Sequence, residues 1–217
     1  MSGKTTIDIF LPSNSLRVLA FMGDNPNQEF LGSEIQDATS LSRAGVYLAL
    51  QELVARGLAY KKERGRFHLY SIDHADPLVK QFKVLINSVL LEPLLCRLRL
   101  SSIKVILFGS ASRGEDSSSS DVDIFILTRN PETIRELITS FSIGRKIQPI
   151  IVVPAQWPDF RAKNAIFWGE IDRGIVLWEE HDEPGVSRLP EEGEDKAFFQ
   201  RKIAGRKGTG VRRIRSS

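Results

Sequence analysis

The chain has 217 residues, 41% of them hydrophobic, enough to bury a sizeable core in one or two domains. Its formal net charge is only +3, so composition alone does not demand a nucleic-acid partner. The single cysteine excludes an intrachain disulfide and fits a reducing compartment; with no leader pattern and no apolar stretch of membrane-spanning length, the sequence predicts a cytoplasmic protein without a membrane partner. Cys96 lies among leucines and is expected in the core. His68, His74 and His181 are scattered with no ligand spacing, so no zinc site is expected.

In chain order, Ser13, Asn14 and Ser15 offer N-caps to a helix running through Met22, with Leu16, Leu19 and Ala20 at helical spacing. Gly23-Asp24-Asn25-Pro26-Asn27 stops it. Residues 29–31 read as a short strand, and Ser33 with Gln36 as the capping box of a second helix through Thr39. After a turn at 39–41, Ser42 caps a third helix reaching Arg56. On it Val46, Ala49, Leu50, Leu53 and Val54 form an apolar stripe, while Arg43, Tyr47 and Gln51 share the opposite face. Gly57 ends that helix, and strands at 58–62 and 67–72 are joined by Glu63-Arg64-Gly65-Arg66.

This order of helix, short strand, helix, turn, helix and basic hairpin resembles a winged helix-turn-helix. The segment SEIQDATSLSRAGVYLALQELVARGLAY is similar to the helix-turn-helix core of bacterial and archaeal regulators. The resemblance implies DNA as a partner, with the third helix in a major groove offering Arg43, Tyr47 and Gln51 to base edges. Lys61, Lys62, Arg64 and Arg66 on the wing would then meet phosphates. Winged helices also act as dimerisation or protein-binding modules.

Asp76-Pro77 opens a helical region at 78–100, too apolar for an exposed linker. It is expected to pack on the second domain or on a second copy of itself in a homodimer, with a break or kink near Glu92 caused by Pro93. The stretch that follows, IKVILFGSASRGEDSSSSDVDIFIL at 103–127, concentrates the chemistry. A buried strand ends at Gly109-Ser110, where a tight turn into a short helix at 110–115 exposes backbone N–H groups suited to phosphate. A polar loop leads to a second strand at 121–127. Alternation along that strand points Asp121 and Asp123 the same way. Two carboxylates beside a phosphate-binding turn suit Mg2+, which takes one or two protein carboxylates and fills its octahedron with phosphate and water.

Gly109-Ser110-x-x-Arg113-Gly114 followed by Ser120-Asp121-x-Asp123-Ile124 closely resembles the signature of the minimal nucleotidyltransferases of the DNA polymerase β superfamily. The resemblance implies that Gly109 and Ser110 hold the phosphates of a nucleoside triphosphate and that Arg113 supports the turn. It also implies that Asp121 and Asp123 are the catalytic, metal-binding acids. One departure stands out: the family often carries a third carboxylate on a later strand, and the matching strand here, 147–153, has Gln148 at that position. Glu170 and Asp172 are further acids that the sequence does not place.

Pro131 opens a helix with Ile134, Leu137, Ile138 and Phe141 on its buried face. Another helix starts at Pro158 and runs through Phe160, Ile166, Phe167 and Ile171, and Gly174 leads to a last strand at 175–178. For Trp157, Trp168 and Trp178 core packing is the expected use, with a base pocket as the alternative. The predicted fold is therefore mixed α/β (α+β), a winged helix-turn-helix at 7–75 and a linking helical region at 76–100. A small polymerase-β-like domain with a mixed sheet flanked by helices follows at 101–180, and an acidic-then-basic disordered tail at 181–217. Three functions suit it: a Mg2+-dependent nucleotidyltransferase, a transcription regulator that senses nucleotide without turnover, or an antitoxin-like partner of a small helical toxin.

Overall fold

Ser13 caps helix α1 (Asn14–Gly23), its hydroxyl accepting the Leu16 N–H at 3.3 Å. The computed structural model describes residues 9–180, and the predicted tail lies outside the described residues. A two-residue strand β1 (Phe30–Leu31) passes directly into α2 (Gly32–Thr39). The capping box expected from Ser33 and Gln36 does not form. Leu31 is held extended by pairing with Leu69, so the helix starts earlier, and the Glu34 carboxylate accepts the Leu31 N–H at 2.7 Å. Helix α3 (Arg43–Ala55) begins as expected, with the Ser42 hydroxyl accepting the Gly45 N–H at 3.1 Å.

Strands β2 (Tyr60–Arg64) and β3 (Phe67–Ser71) complete an antiparallel sheet ordered β1-β3-β2. Val18, Leu19, Met22, Ile35, Val46, Leu50 and Leu53 form the core beneath it. Val46, Ala49, Leu50 and Leu53 are buried as the periodicity of the third helix requires, and Val54 packs at the margin.

Helix α4 (Pro77–Leu98) is continuous. The Asp76 carboxylate accepts the Leu78 and Val79 N–H groups at its start. Pro93 does not break it: Leu91 on one side of the proline and Leu94, Leu95 and Leu98 on the other are all buried against the second sheet. That burial outweighs the one backbone hydrogen bond the imide cannot make, a loss of order 3 kcal/mol in an exposed helix. The helix serves two cores, since Val79 and Phe82 close the first and the leucines after residue 90 close the second. Cys96, expected in the core, is exposed, because it lies at the helical angle opposite Leu94, Leu95 and Leu98.

The second sheet is mixed and ordered β6-β5-β4-β7. Strand β4 (Lys104–Phe108) enters the short helix α5 (Gly109–Arg113), one residue earlier than expected, and β5 (Val122–Leu127) returns antiparallel to β4. After α6 (Pro131–Thr139), β6 (Ile147–Val152) lies parallel to β5, and β7 (Ile175–Glu179) closes the other edge antiparallel to β4. One face, with Val105, Leu107, Val122, Ile124 and Ile126, is covered by α4 and by Ile134 of α6.

The other face carries Ile106, Phe108, Phe125 and Val152. The single helix expected to cover it is two, α7 (Trp157–Lys163) and α8 (Ala165–Asp172). Asn164 separates them, with both its backbone N–H and its side-chain amide donating to the Phe160 carbonyl. Trp157 and Trp168 pack on Phe125, at centroid distances of 5.3 and 5.7 Å, and Trp178 joins the opposite core. Among the described residues no helix is long and apolar enough to cross a membrane.

Candidate functional site

The expected site assembles where β4 ends. Phe108 is extended, Gly109 takes φ +69°, and Gly114 at φ +67° closes the short helix in the left-handed region. Across the sheet Phe108 pairs with Asp123, so the second acid stands beside the turn. A Cβ on Gly109 would lie 2.4 Å from Asp123 Oδ2, so any larger residue there would have to push that carboxylate aside. Sequence spacing therefore identifies a real juxtaposition: the turn and the second acid touch.

Strand β5 begins at Val122, one residue later than expected, so Asp121 lies just ahead of it, close enough for its charge to act on Asp123. The Asp123 carboxyl is pushed above its usual range, first by burial and then by the charges of Asp121 and Glu170. Two half-exposed acids that repel each other are what a cation would stabilise, so the pair suits Mg2+. Among the described residues no three His, Cys, Asp or Glu gather at ligating distance.

On the neighbouring strand, Gln148 is directly paired with Asp123. Gln148 therefore stands beside the acid pair, as its place on the later strand suggested, and it brings an amide there. Lys146 is a contributor that sequence reasoning missed. Its ammonium lies 3.4 Å from Asp121 Oδ2 and 3.4 Å from Gln148 Oε1. Only the two-residue spacing of Lys146 and Gln148 hinted at it.

Arg113 donates to Glu115 Oε2 at 2.9 Å and to Glu170 Oε1 at 3.4 Å, and its pKa is raised chiefly by the Glu115 hydrogen bond. Glu170, which the sequence left unplaced, thus reaches the site from α8, whose Phe167 rests edge-on against Phe108 at 5.9 Å.

The residues expected to contact DNA form a separate surface. Arg43, Tyr47 and Gln51 are all exposed on α3, and the Gln51 amide donates to Tyr47 Oη at 2.7 Å. Arg64 ends β2 and Arg66 lies in the hairpin turn, its guanidinium 5.3 Å from the Phe67 ring centroid. Two of the wing's other cations are engaged, Lys62 with Glu29 at 2.9 Å and Lys61 with Glu63 at 3.7 Å.

A strand, a Gly-Ser turn with a short helix, and a returning strand that brings two acids back to the turn define a domain of the nucleotide-transferring class. The family model described as nucleotidyltransferase domain matches residues 91–202, just over half the chain, and the chain belongs to that family. The match opens within α4, in keeping with the leucines by which that helix joins the second core. No curated protein matches the chain. Among solved structures, a protein from Sulfolobus solfataricus provisionally assigned as a nucleotidyltransferase is 15% identical, over 51% of this chain and 90% of its own, with a TM-score of 0.30. Human N-acetylserotonin methyltransferase in complex with SAM is 16% identical, over 42% of this chain and 31% of its own, with a TM-score of 0.27. Neither likeness is close enough to carry a functional argument.

Proposed function

We propose that this chain transfers the nucleoside monophosphate of a nucleoside triphosphate to an acceptor hydroxyl, with Asp121 and Asp123 holding Mg2+. The observation that carries this reading is the closeness of Asp123 to the Gly109 turn, where a Cβ would lie 2.4 Å from its Oδ2. When bound, Mg2+ supplies charge neutralisation and alignment at the phosphates. Gly109 and Ser110 hold the triphosphate from the turn, and Arg113, steadied by Glu115 and Glu170, keeps the turn in place. The acceptor oxygen forms its bond to the α-phosphorus, the bond to the bridging oxygen breaks, and pyrophosphate leaves. The acceptor's proton passes to solvent water, since the strand residue beside Asp123 is the amide Gln148. This observation favours a second reading, in which the domain binds nucleotide as a sensor without turnover.

The N-terminal module is proposed to be a winged helix-turn-helix that places α3 in a major groove. The exposure of Arg43, Tyr47 and Gln51 on one helix face supports it, together with Arg64 and Arg66 on the hairpin. To test the transfer, the full chain is incubated with Mg2+, α-labelled nucleoside triphosphates and cell extract. Label on a macromolecule or small acceptor with release of pyrophosphate is the expected result. Saturable nucleotide binding with no pyrophosphate would favour the sensor, and no binding at all would refute both.

A further inference from the structure

Between α5 and β5 the chain crosses residues 114–120 with no regular structure, yet this segment delivers Asp121 and Asp123. A buried ionic cluster fixes it. Asp116 is 1% exposed and Lys83 of α4 is 4% exposed. The Lys83 ammonium donates to the Asp116 carbonyl and stands 3.5 Å from its Oδ1, which accepts the Asn87 amide at 3.1 Å. Arg145, just before β6, donates to Asp116 Oδ2, to Ser117 O at 3.3 Å and to Asn87 Oδ1 at 2.7 Å. Asn87 also donates to Ala111 O of the short helix at 3.0 Å. Next to it, Gly114 lies so close to α4 that a Cβ there would be 2.2 Å from Lys80 O.

The same cluster extends into the N-terminal module. Lys83 Nζ donates to Gly23 O, at the end of α1, at 2.8 Å, and the Ser118 N–H donates to Asp24 O at 2.7 Å. In sequence, Gly23-Asp24 reads only as a helix stop and residues 116–120 only as a polar loop. In the fold they are two sides of one clamp. Buried charges are costly to leave unpaired and hydrogen bonds are directional, so such a cluster resists sliding better than apolar packing of equal size. A shift of the acid-bearing segment must therefore be transmitted to the last turn of α1.

We propose that the Lys83–Asn87–Asp116–Arg145 cluster positions the Asp121/Asp123 segment and couples it to the end of α1, so that nucleotide bound at the turn also stabilises residues 21–26. The second half of this statement rests on the nucleotide reading given above. Asp116 and Lys83 are positioning residues rather than groups that touch the nucleotide.

The experiment is hydrogen exchange on the full chain, wild type and Lys83→Met, which keeps the buried stem and removes the ammonium. Without nucleotide, Lys83→Met should speed exchange at both 21–26 and 116–121 while leaving 46–54 of α3 unchanged. Faster exchange at only one of the two segments would overturn the clamp. With Mg2+ and ATP, the wild type should gain protection at 109–114 and also at 21–26, by about 5-fold or more. In Lys83→Met the first gain should persist and the second vanish. Protection at 109–114 without any at 21–26 in the wild type would overturn the coupling. No change at 109–114 would refute the nucleotide site instead, and the nucleotide-free comparison would still judge the clamp. Should Lys83→Met fail to fold, Asn87→Ser, which removes the amide and leaves both charges paired, replaces it under the same criteria.

Discussion

Replacing Gly109 with alanine separates what the fold needs at the turn from what the proposed metal site needs. Gly109 has φ +69°, and an L-residue held there costs about 1–2 kcal/mol. Gly65, in the hairpin turn, has φ +63° and nothing within 4 Å of the place a methyl would take, so Gly65→Ala measures that backbone cost alone. At Gly109 the methyl would also meet Asp123 Oδ2 at 2.4 Å and its Cγ at 3.3 Å. These atoms end a side chain with two torsions, which can swing aside for about 0.5–1.5 kcal/mol more. Gly109→Ala should therefore fold, about 2–3 kcal/mol less stable than wild type.

The swing, however, carries Oδ2 away from the turn. In thermal melts, Mg2+ with a nucleoside triphosphate at a hundred times its dissociation constant should add about 2.7 kcal/mol to the wild type and to Gly65→Ala. It should add almost nothing to Gly109→Ala. Gly114→Ala gives the opposite contrast: its methyl would sit 2.2 Å from the Lys80 carbonyl oxygen, a backbone atom that cannot rotate away. That variant should be the least stable of the three. A Gly109→Ala protein that keeps the full nucleotide-dependent shift would refute the role given to the contact with Asp123.

The raised Asp123 carboxyl means that the folded state holds this proton more tightly than the unfolded chain, whose value is near 3.8; its stabilising contribution is present below that pH and lost as pH rises through the folded value. Metal-free Asp123→Asn should thus be more stable than wild type at neutral pH and should lack that part of the pH dependence; parallel melting profiles across pH would contradict it. Arg43→Ala should weaken a specific duplex by about 1–3 kcal/mol, whereas Arg64→Ala should weaken all duplexes alike and reduce the salt dependence in a mobility assay. Equal behaviour of the two variants would argue against a base-reading helix. Phe125→Ala removes a fully buried ring that holds Trp157, Phe160 and Trp168, and chemical denaturation should show a loss of about 3–5 kcal/mol; a loss under about 1 would mean that the α7–α8 layer collapses into the gap.

Elements with strong local signals were legible in the sequence. The Ser13 and Ser42 caps and the apolar stripe of α3 depend on short-range stereochemistry, and they stand as expected. The failures have tertiary causes. The proline rule at Pro93 is overridden because leucines on both sides are buried, and the box at Ser33 is overridden because sheet pairing holds Leu31. The ionic cluster was invisible for a different reason. Its members, Asp24, Lys83, Asn87, Asp116 and Arg145, are scattered over four segments, and each alone reads as an ordinary exposed polar residue.

The charge pattern at the acid pair bears on why an amide can stand where a third acid is common. Asp123 is already disfavoured as an anion by burial, by Asp121 and by Glu170. A carboxylate at 148 would face Asp123 in direct strand register and add a fourth negative charge to the same small volume. The Lys146 ammonium relieves little, since its side chain is 71% exposed and such a pair contributes at most about 1 kcal/mol. Gln148 therefore lowers the electrostatic cost of the metal-free fold and leaves Lys146 a neutral neighbour to rest against. In the proposed transfer, the same amide offers no base on that strand to an acceptor hydroxyl. Among the described residues Glu170 of helix α8 brings a further carboxylate close enough to raise the Asp123 pKa, and it is tied to Arg113 instead of standing free.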